Sequence, residues 1–266
     1  MGARAEGQVA RRRARRPGCS TARRVPERPS DESAAVYSAG MLVAIEGIDG
    51  AGKQTQTAAL VRHAEAAGLR SASISFPRYG ETFFARSVEE LLRGESAETG
   101  SPRLVGLLFA GDRLESRSLL ESVLATSDLV IADRYVASNL AYQAAHAPLD
   151  ERAGVMEWLE TVEHGIFALP RPALTVLLDV PVEVAAARLA ARPASGGRPA
   201  GDRYEADRAL LTAVRAAYLE LATSRPGWVI VPVVGEDGPR SAAAVAGDVW
   251  AAVEPLCAGP GTPNAR

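Results

Sequence analysis

The stretch GIDGAGKQT, residues Gly47 to Thr55, decides the fold of this chain. It follows a short apolar run, Leu42 to Glu46, and a segment with helical periodicity begins at Lys53. The pattern G-x-x-x-x-G-K between a strand and a helix is typical of a phosphate-binding loop. Its glycines let backbone N–H groups turn inward around phosphate oxygens, and the helix N-terminus adds partial positive charge. The residues predicted to contact the phosphates of a nucleoside triphosphate are Gly47, Ile48, Asp49, Gly50, Ala51, Gly52, Lys53, Gln54 and Thr55.

Two positions of this loop carry further information. Of the 30 basic residues in the chain, only Lys53 is a lysine. Because arginine serves wherever a generic positive charge suffices, this position indicates a need for a compact ammonium group, which we expect to reach the β- and γ-phosphates. Gln54 stands where Ser or Thr normally offers a hydroxyl to Mg²⁺. We therefore expect Asp49 to be the main loop partner for metal-bound water.

Length and composition favour one sizeable α/β domain. The chain has 266 residues and a mass of 27.9 kDa, and 47% of its residues are hydrophobic, enough for one substantial core. No stretch approaches the roughly 18 uninterrupted apolar residues of a membrane-spanning helix, so we expect a soluble protein. Cys19 and Cys257 lie near opposite ends of the chain, in segments expected to be unstructured. Neither a disulfide framework nor a cysteine-based metal site is predicted, which fits a reducing cytoplasm.

The ends of the chain differ in composition from its middle. Residues 1–40 contain nine arginines against four acidic residues and lack an apolar period. A basic segment of this kind can bind nucleic acid or act as a targeting sequence. We instead predict a disordered, solvated, Arg-rich extension there, with no nucleic-acid partner expected, and a disordered tail over 257–266. Met41 opens the first core strand directly, which raises the alternative that translation starts there. The folded domain is predicted to span 41–256.

Between the ends, short β-rich runs alternate with longer helical patterns, which is typical of a parallel sheet with helices on both faces. The runs are expected to be apolar on both faces, as in buried parallel strands. The predicted strands are Leu42 to Glu46, Ser71 to Phe76, Leu129 to Ala132, Leu174 to Val180, and Trp228 to Val233. The predicted helices are Lys53 to Ala67, Phe83 to Arg93, Leu104 to Ala125, Glu151 to Phe167, Val182 to Ala191, Ala206 to Thr223, and Arg240 to Val253.

Three further segments distinguish among proteins with such a loop. The second strand ends in FPRYG (76–80), a helix carries FAGDR (109–113), and the third strand ends in DRYVASNLAYQ (133–143). Ligands of doubly wound sheets collect at the carboxyl ends of the strands, so these segments are expected to converge beside the phosphate-binding loop. A guanine-specific GTPase usually has an Asn-Lys-x-Asp motif, which a chain with its only lysine in the loop cannot contain.

The combination of GIDGAGK, FPRYG, and DRY with SNLAY resembles the thymidylate kinase family over about Met41 to Val253. The resemblance implies a three-layer P-loop NTPase fold with a five-stranded parallel sheet and a short lid. It also implies phosphorylation of dTMP to dTDP with ATP and Mg²⁺, and a cytoplasmic homodimer without a membrane partner.

The resemblance further assigns roles to individual residues. An aromatic side chain stacks on thymine, an arginine four residues later bonds its carbonyl edge, and an asparagine contacts the base. A tyrosine lies under the deoxyribose, while arginines hold the 5′-phosphate. The implied dTMP-binding residues are Asp49, Phe76, Arg78, Tyr79, Phe109, Arg113, Arg134, Asn139 and Tyr142. The implied catalytic residues are Lys53, Asp49, Arg134, Arg192 and Arg198, and the metal is expected near Asp49 and Glu205, through water.

The lid is predicted at about 192–203, where the sequence is rich in Pro and Gly. Arg188, Arg192 and Arg198 are candidates to close over the phosphates, and which of them acts stays open. Glu205 has a second interpretation, because Asp202 and Glu205 before an apolar helix also form a capping-box pattern.

Other interpretations stay open as well. Phe109 is alternatively an ordinary core residue, Tyr79 a packed turn residue, and Asp133 either a Walker-B-like carboxylate or the partner of a neighbouring arginine. The alternatives for the whole protein are a kinase for another nucleoside monophosphate or for a deoxynucleoside, and a nucleotide-binding regulator without turnover.

Overall fold

A five-stranded parallel sheet forms the centre of the protein. The structure, a computed structural model, describes residues 40–94, 100–191 and 207–257. The sheet has the order β2-β3-β1-β4-β5, so β1 lies in the middle. The strands are β1 (Met41–Glu46), β2 (Ser71–Ser75), β3 (Leu129–Asp133), β4 (Leu174–Asp179) and β5 (Trp228–Pro232). The predicted three-layer α/β fold is confirmed.

Only the three central strands match the expectation of burial on both faces. Nearly every side chain of β1, β3 and β4 is buried. In β2 and β5, by contrast, the buried side chains are Ile74 and Val231 alone. These strands form the two edges of the sheet, where one side has no neighbouring strand. The prediction that all five are apolar on both faces was therefore wrong for the edges.

The helices surround this sheet. They are α1 (Lys53–Ala66), α2 (Phe83–Arg93), α3 (Pro102–Glu115), α4 (Arg117–Thr126), α5 (Val136–His146), α6 (Arg152–Glu160), α7 (Val182–Ala190), α8 (Arg208–Ser224) and α9 (Ala242–Cys257). A small antiparallel ribbon pairs β6 (Val234–Gly235) with β7 (Gly238–Pro239), which the sequence analysis did not predict. Within the described ranges, no helix is long and apolar enough to cross a bilayer.

The helices differ from the prediction in four respects. The single helix expected over 104–125 is two helices, which meet at the buried Ser116. The helix expected over 151–167 changes after Glu160 into a π-helical segment, Thr161–Ile166. Helix α5 was not predicted as a separate element, and Cys257 ends α9 instead of lying in a tail.

The topology places the functional segments at one edge of the sheet. Strands β1, β2 and β3 run parallel, and their carboxyl ends lead into the phosphate-binding loop, the FPRYG segment and the DRY segment. The predicted lid lies outside the described residues. The N-terminal extension and the C-terminal end beyond Cys257 also lie outside them.

Candidate active site

The phosphate-binding loop has the backbone that its glycines require. Gly47, Gly50 and Gly52 have φ angles of 141°, 83° and 94°. At Gly50 an added Cβ would lie 2.5 Å from the backbone oxygen of Ala185, which is too close for any side chain. Helix α1 begins immediately after Gly52, so its N-terminal N–H groups point at the loop. The loop is therefore an anion-binding cradle.

Lys53 lies inside this cradle. Its side chain is buried, and Nζ donates hydrogen bonds to the carbonyl oxygens of Gly47 and Ile48, both at 3.0 Å. The Asp49 carboxylate lies 3.9 Å from the same ammonium group. Gln54 and Thr55, in contrast, are exposed on the first turn of α1. The ammonium group is thus held at the loop by two backbone carbonyls.

Asp49 connects the loop to the DRY segment. One carboxylate oxygen forms an ion pair with the guanidinium of Arg134, and the other accepts a hydrogen bond from the Tyr142 hydroxyl at 2.8 Å. The Arg134 guanidinium also lies over the Tyr142 ring, 5.5 Å from its centre. Burial is the largest influence on Arg134 and opposes its charge, but Asp49, together with Tyr142, Tyr218 and Asp133, raises the pKa of the guanidinium above its ordinary value. Burial, assisted by Asp49, raises the pKa of the Tyr142 hydroxyl well above its ordinary value.

Arg134 owes its position to an unusual backbone conformation. It follows directly after β3 and has a φ angle of 65°, in the left-handed region that non-glycine residues rarely adopt. Its backbone N–H donates to the carbonyl oxygen of Ile45 on β1, at 3.0 Å. Its Nη1 donates to the Ser138 hydroxyl at 3.3 Å. A strained backbone held by such contacts is common at functional sites.

A second cluster joins α3, α5 and the π-helical segment. Arg113 and Glu163 form a fully buried, bidentate ion pair, with Nε–Oε2 and Nη2–Oε1 distances of 2.5 and 2.6 Å. Burial disfavours the charge of Arg113, but Glu163 outweighs burial and raises the pKa of the guanidinium. The Asn139 amide donates to Glu163 Oε1 at 2.8 Å and to the Gly106 carbonyl at 2.9 Å. Two buried atoms beside this cluster, Asn139 Oδ1 and Gln143 Nε2, have no hydrogen-bond partner in the described part of the chain.

The FPRYG segment is attached to α3 by a residue without a predicted role, Asp112. Its carboxylate accepts hydrogen bonds from the Arg78 backbone at 3.0 Å and from the Thr82 hydroxyl at 2.6 Å. Burial raises the pKa of this carboxyl group. The Arg78 side chain contacts Ser116 and forms an ion pair with Glu81, so the structure shows no contact between Arg78 and the Arg134 guanidinium.

The remaining predicted residues differ in their burial. Phe76 is buried and packs on Tyr135, with ring centres 5.8 Å apart. Tyr79 and Phe109 are half-buried. Arg188 donates from Nη1 to the Gly50 carbonyl at 3.4 Å, which places one candidate lid arginine at the loop. The other lid candidates, Arg192 and Arg198, and the metal candidate Glu205 lie outside the described residues.

For four polar residues at the site, the sequence predicted no individual role. They are Glu46, Asp112, Gln143 and Glu163. Asp112 and Gln143 lie within quoted motifs, so a signal for them existed. Glu163 is one of several acidic residues in a helical pattern, and only its complete burial separates it from the others.

The site suits a metal that is held mainly by its substrate. Within the described ranges, no group of three or more His, Cys, Asp and Glu side chains forms a cage for a cation. Mg²⁺ is usually bound by one or two carboxylates together with substrate phosphates and water, so a single loop carboxylate, Asp49, fits it. Asp133 is half-buried, and no ion pair in the described part of the chain engages its carboxylate.

Comparisons with known proteins agree with this geometry. A family model for thymidylate kinase matches residues 45–236. The thymidylate kinase of Mycobacterium tuberculosis is 37% identical over 212 residues, which cover 79% of this chain and 99% of that relative. A probable thymidylate kinase of Pyrococcus abyssi is 37% identical over 189 residues, or 69% of this chain and 83% of the relative. A solved thymidylate kinase from Candida albicans matches with a TM-score of 0.66 and 26% identity, covering 82% of this chain and 92% of its own. The resemblance of the motifs is confirmed, and the chain belongs to the thymidylate kinase family.

Proposed function

We propose that this protein transfers the γ-phosphoryl group of ATP to dTMP, which yields ADP and dTDP. The observation that carries the proposal is the contact of Asp49 with Arg134 and Tyr142. It joins a phosphate-binding loop to a second set of residues suited to a nucleoside monophosphate. The relatives named thymidylate kinase support the same acceptor.

On the donor side, the loop from Gly47 to Thr55 would hold the phosphates of ATP. Lys53 now bonds to loop carbonyl oxygens, and an anionic phosphate oxygen is a stronger acceptor for the same ammonium group. Asp49 would hold Mg²⁺ through water, with Glu205 as a second candidate. When bound, the metal would neutralise charge on the transferring phosphoryl group.

On the acceptor side, Arg134 would hold the 5′-phosphate of dTMP, and Arg78 and Tyr79 would border it. Asp49 would contact the 3′-hydroxyl of the sugar, and Tyr142 would lie beneath the deoxyribose. The hydrogen bond from Tyr142 to Asp49 supports both roles, because it places the two side chains next to each other. The ring of Tyr142 would then occupy the space that a 2′-hydroxyl needs.

The base would lie against α3 and α5. Phe109 is half-buried on α3, where it would stack on thymine beside Phe76. Arg113 would donate a hydrogen bond to the carbonyl edge of thymine, and Asn139 would bond to the adjacent N3–H group. The proximity of Arg113 and Asn139 supports this arrangement, because both bond to one oxygen of Glu163.

Such a site needs no general base, since the attacking phosphate is already an anion. Catalysis would consist of positioning and charge neutralisation by Lys53, the metal and lid arginines such as Arg192 and Arg198. In-line attack by the acceptor oxygen forms the new P–O bond while the bond to the β-phosphate oxygen breaks. The electron pair of that bond leaves with ADP.

We also propose a cytoplasmic homodimer. The large apolar side chains of Phe83 and Leu104 are 61% and 60% exposed on α2 and α3, beside the acceptor site. A second copy would cover them. Light scattering on wild type and on Phe83→Glu tests this, with a dimer expected for wild type and a monomer for the variant. A wild-type monomer at micromolar concentration would refute it.

A coupled assay of ADP release with dTMP, dUMP, dCMP and the ribose analogue of dTMP tests the proposed reaction. We expect kcat/KM for dUMP to be about 10–200-fold below that for dTMP, because one methyl group is worth about 1–3 kcal/mol in an apolar pocket. Rejection of dCMP should be stronger, because the amino group of cytosine would face the donor groups of Arg113 in a closed site. Absence of turnover with every acceptor would favour a nucleotide-binding regulator, and equal turnover of dCMP and dTMP would favour another monophosphate kinase.

A further inference from the structure

The orientation of the Asn139 amide is determined by its neighbours. Its nitrogen donates one hydrogen to the Gly106 carbonyl and the other to Glu163 Oε1. Both partners are acceptors only, since the Glu163 carboxylate is held in an ion pair with Arg113. A flipped amide would place its oxygen against two other oxygens. Asn139 Oδ1 must therefore point away from them, and it is buried without a hydrogen-bond partner among the residues that the structure describes.

Glu163 determines the orientation of Arg113 in the same way. The Glu163 carboxylate accepts from Nε and Nη2, so the Arg113 guanidinium cannot rotate to offer these two nitrogens to another partner. No hydrogen bond within the described part of the chain engages the remaining nitrogen, Nη1. Because Asn139 and Arg113 share one carboxylate oxygen, a fixed acceptor and a fixed donor lie next to each other.

We infer that Glu163 is a positioning residue that sets which pyrimidine the enzyme accepts. This inference rests on the proposed function, in which the acceptor base lies against Arg113 and Asn139. Thymine presents an N3–H donor next to an O4 acceptor, which complements an acceptor beside a donor. Cytosine presents an N3 acceptor next to an amino donor, so both of its contacts are mismatched. Glu163 touches no substrate and acts through the two side chains that it orients.

Glu163→Gln separates this role from simple support of the fold. The glutamine amide must place its N–H₂ either at Arg113 Nε or at the oxygen shared with Asn139, so one donor faces another in both cases. With the N–H₂ at the shared position, the Asn139 amide is free to reverse, and with the N–H₂ at Nε, the Arg113 guanidinium is displaced. We expect the ratio of kcat/KM for dTMP to that for dCMP to fall by at least about tenfold, with the loss concentrated on dTMP. A purely structural role would lower both values alike and leave the ratio unchanged.

Glu160→Gln is the matched control. Glu160 lies three residues earlier, at the end of α6, and pairs with Arg171 and Arg225 away from the Arg113 cluster. The same chemical change there should leave the acceptor ratio unaltered. KM for ATP should stay within about twofold of wild type in both variants, because neither residue approaches the phosphate-binding loop.

Glu163→Asp provides a second variant if the glutamine variant does not fold. It keeps a negative charge beside Arg113, but its carboxylate lies roughly 1.5 Å farther back and cannot reach both partners. We expect a smaller fall in the same ratio. If a folded variant of Glu163 retains the wild-type ratio, the inference is overturned while the proposed reaction stands. If wild type itself turns over no dTMP, or does not discriminate against dCMP, the proposed function has failed instead.

Discussion

Glu46, at the end of β1, accepts two hydrogen bonds from Ser138, in the first turn of α5. Its Oε2 lies 2.6 Å from the Ser138 hydroxyl, and its Oε1 lies 3.2 Å from the Ser138 backbone nitrogen. The same carboxylate accepts from the Tyr135 backbone at 2.8 Å and from the Tyr218 hydroxyl at 2.9 Å. Helix α5 has no capping side chain of its own at its N-terminus. A residue about ninety positions earlier therefore supplies that cap and fixes the helix that carries Asn139 and Tyr142.

Replacing Glu46 by Leu is expected to lower the free energy of unfolding by about 3–5 kcal/mol, since two buried donors, of Tyr135 and Tyr218, and two half-buried donors of Ser138 would lose this acceptor. Glu46→Gln keeps the shape and one acceptor oxygen and should cost much less. Urea unfolding of both variants measures the difference. Equal losses in the two variants would show that the acceptor oxygen kept in Glu46→Gln does not account for the stabilisation.

Replacing Lys53 by Ala should remove more than about 3 kcal/mol of transition-state stabilisation, as expected for loss of a preorganised charge. Steady-state kcat/KM for ATP measures the loss. Arg62→Ala removes a charge from the exposed side of the same helix and should have little effect. Turnover of Lys53→Ala within tenfold of wild type would contradict the assignment of the loop.

Replacing Gln54 by Thr should preserve or raise activity and reduce the Mg²⁺ concentration needed for half-maximal rate, because a hydroxyl becomes available at that position. Gln54 is exposed, so the change should not disturb the core. Titration of Mg²⁺ at saturating ATP is the measurement. A loss of more than tenfold would reveal a separate role for the glutamine side chain.

The stability of the protein should fall as the pH drops below about 6.5, in part through His164. Burial lowers the pKa of this imidazole below its ordinary value of about 6.5, and the positive charge of Arg171 acts in the same direction. The unfolded chain then takes up a proton before the folded protein does, so the contribution is present above pH 6.5 and is lost as the pH falls through the folded-state pKa.

His164→Asn tests whether the imidazole contributes to the loss of stability at low pH. The asparagine amide can still donate to the Leu169 carbonyl, as the His164 Nδ1–H does at 2.9 Å, but it does not titrate. Between pH 7.5 and 5, we expect the Tm of the variant to fall less than that of wild type. Parallel Tm curves would exclude His164 as a contributor.

A chain that starts at Met41 is expected to fold with unchanged Tm and activity. The extension before it is rich in Arg and Pro and has no apolar period with which to bury surface. Thermal unfolding and the coupled ADP assay of both forms provide the comparison. A substantial decrease in either value would place the extension within the functional structure.

Sequence reasoning predicted the elements with strong periodicity and the residues within motifs. The spacing of glycines from Gly47 to Gly52 suffices to predict the loop, because the local backbone conformation favours glycine at each of these positions. The bounds of α2 agree to the residue with the prediction. Arg113 also lies on the helix that its motif indicated, whereas Asn139 and Tyr142 lie on α5, which was not predicted.

The parts that escaped prediction depend on tertiary contacts. Helix α5 lacks its own N-cap and depends on Glu46, so no local signal marked its start. The division between α3 and α4 falls at Ser116, whose side chain contacts Arg78 from another segment. Glu163 gains its role only because a π-helical turn places it against Arg113 and Asn139. Hydrophobic periodicity contains none of this information.

The single lysine has a practical consequence for chemical labelling. Every ε-amino group of the chain is that of Lys53, and its nitrogen is buried against the carbonyls of the loop. An amine-selective acylating reagent can therefore modify side chains at one position only. Mass spectrometry of the labelled protein, with ATP as competitor, would then report occupancy of the donor site directly, without a radioactive or fluorescent nucleotide.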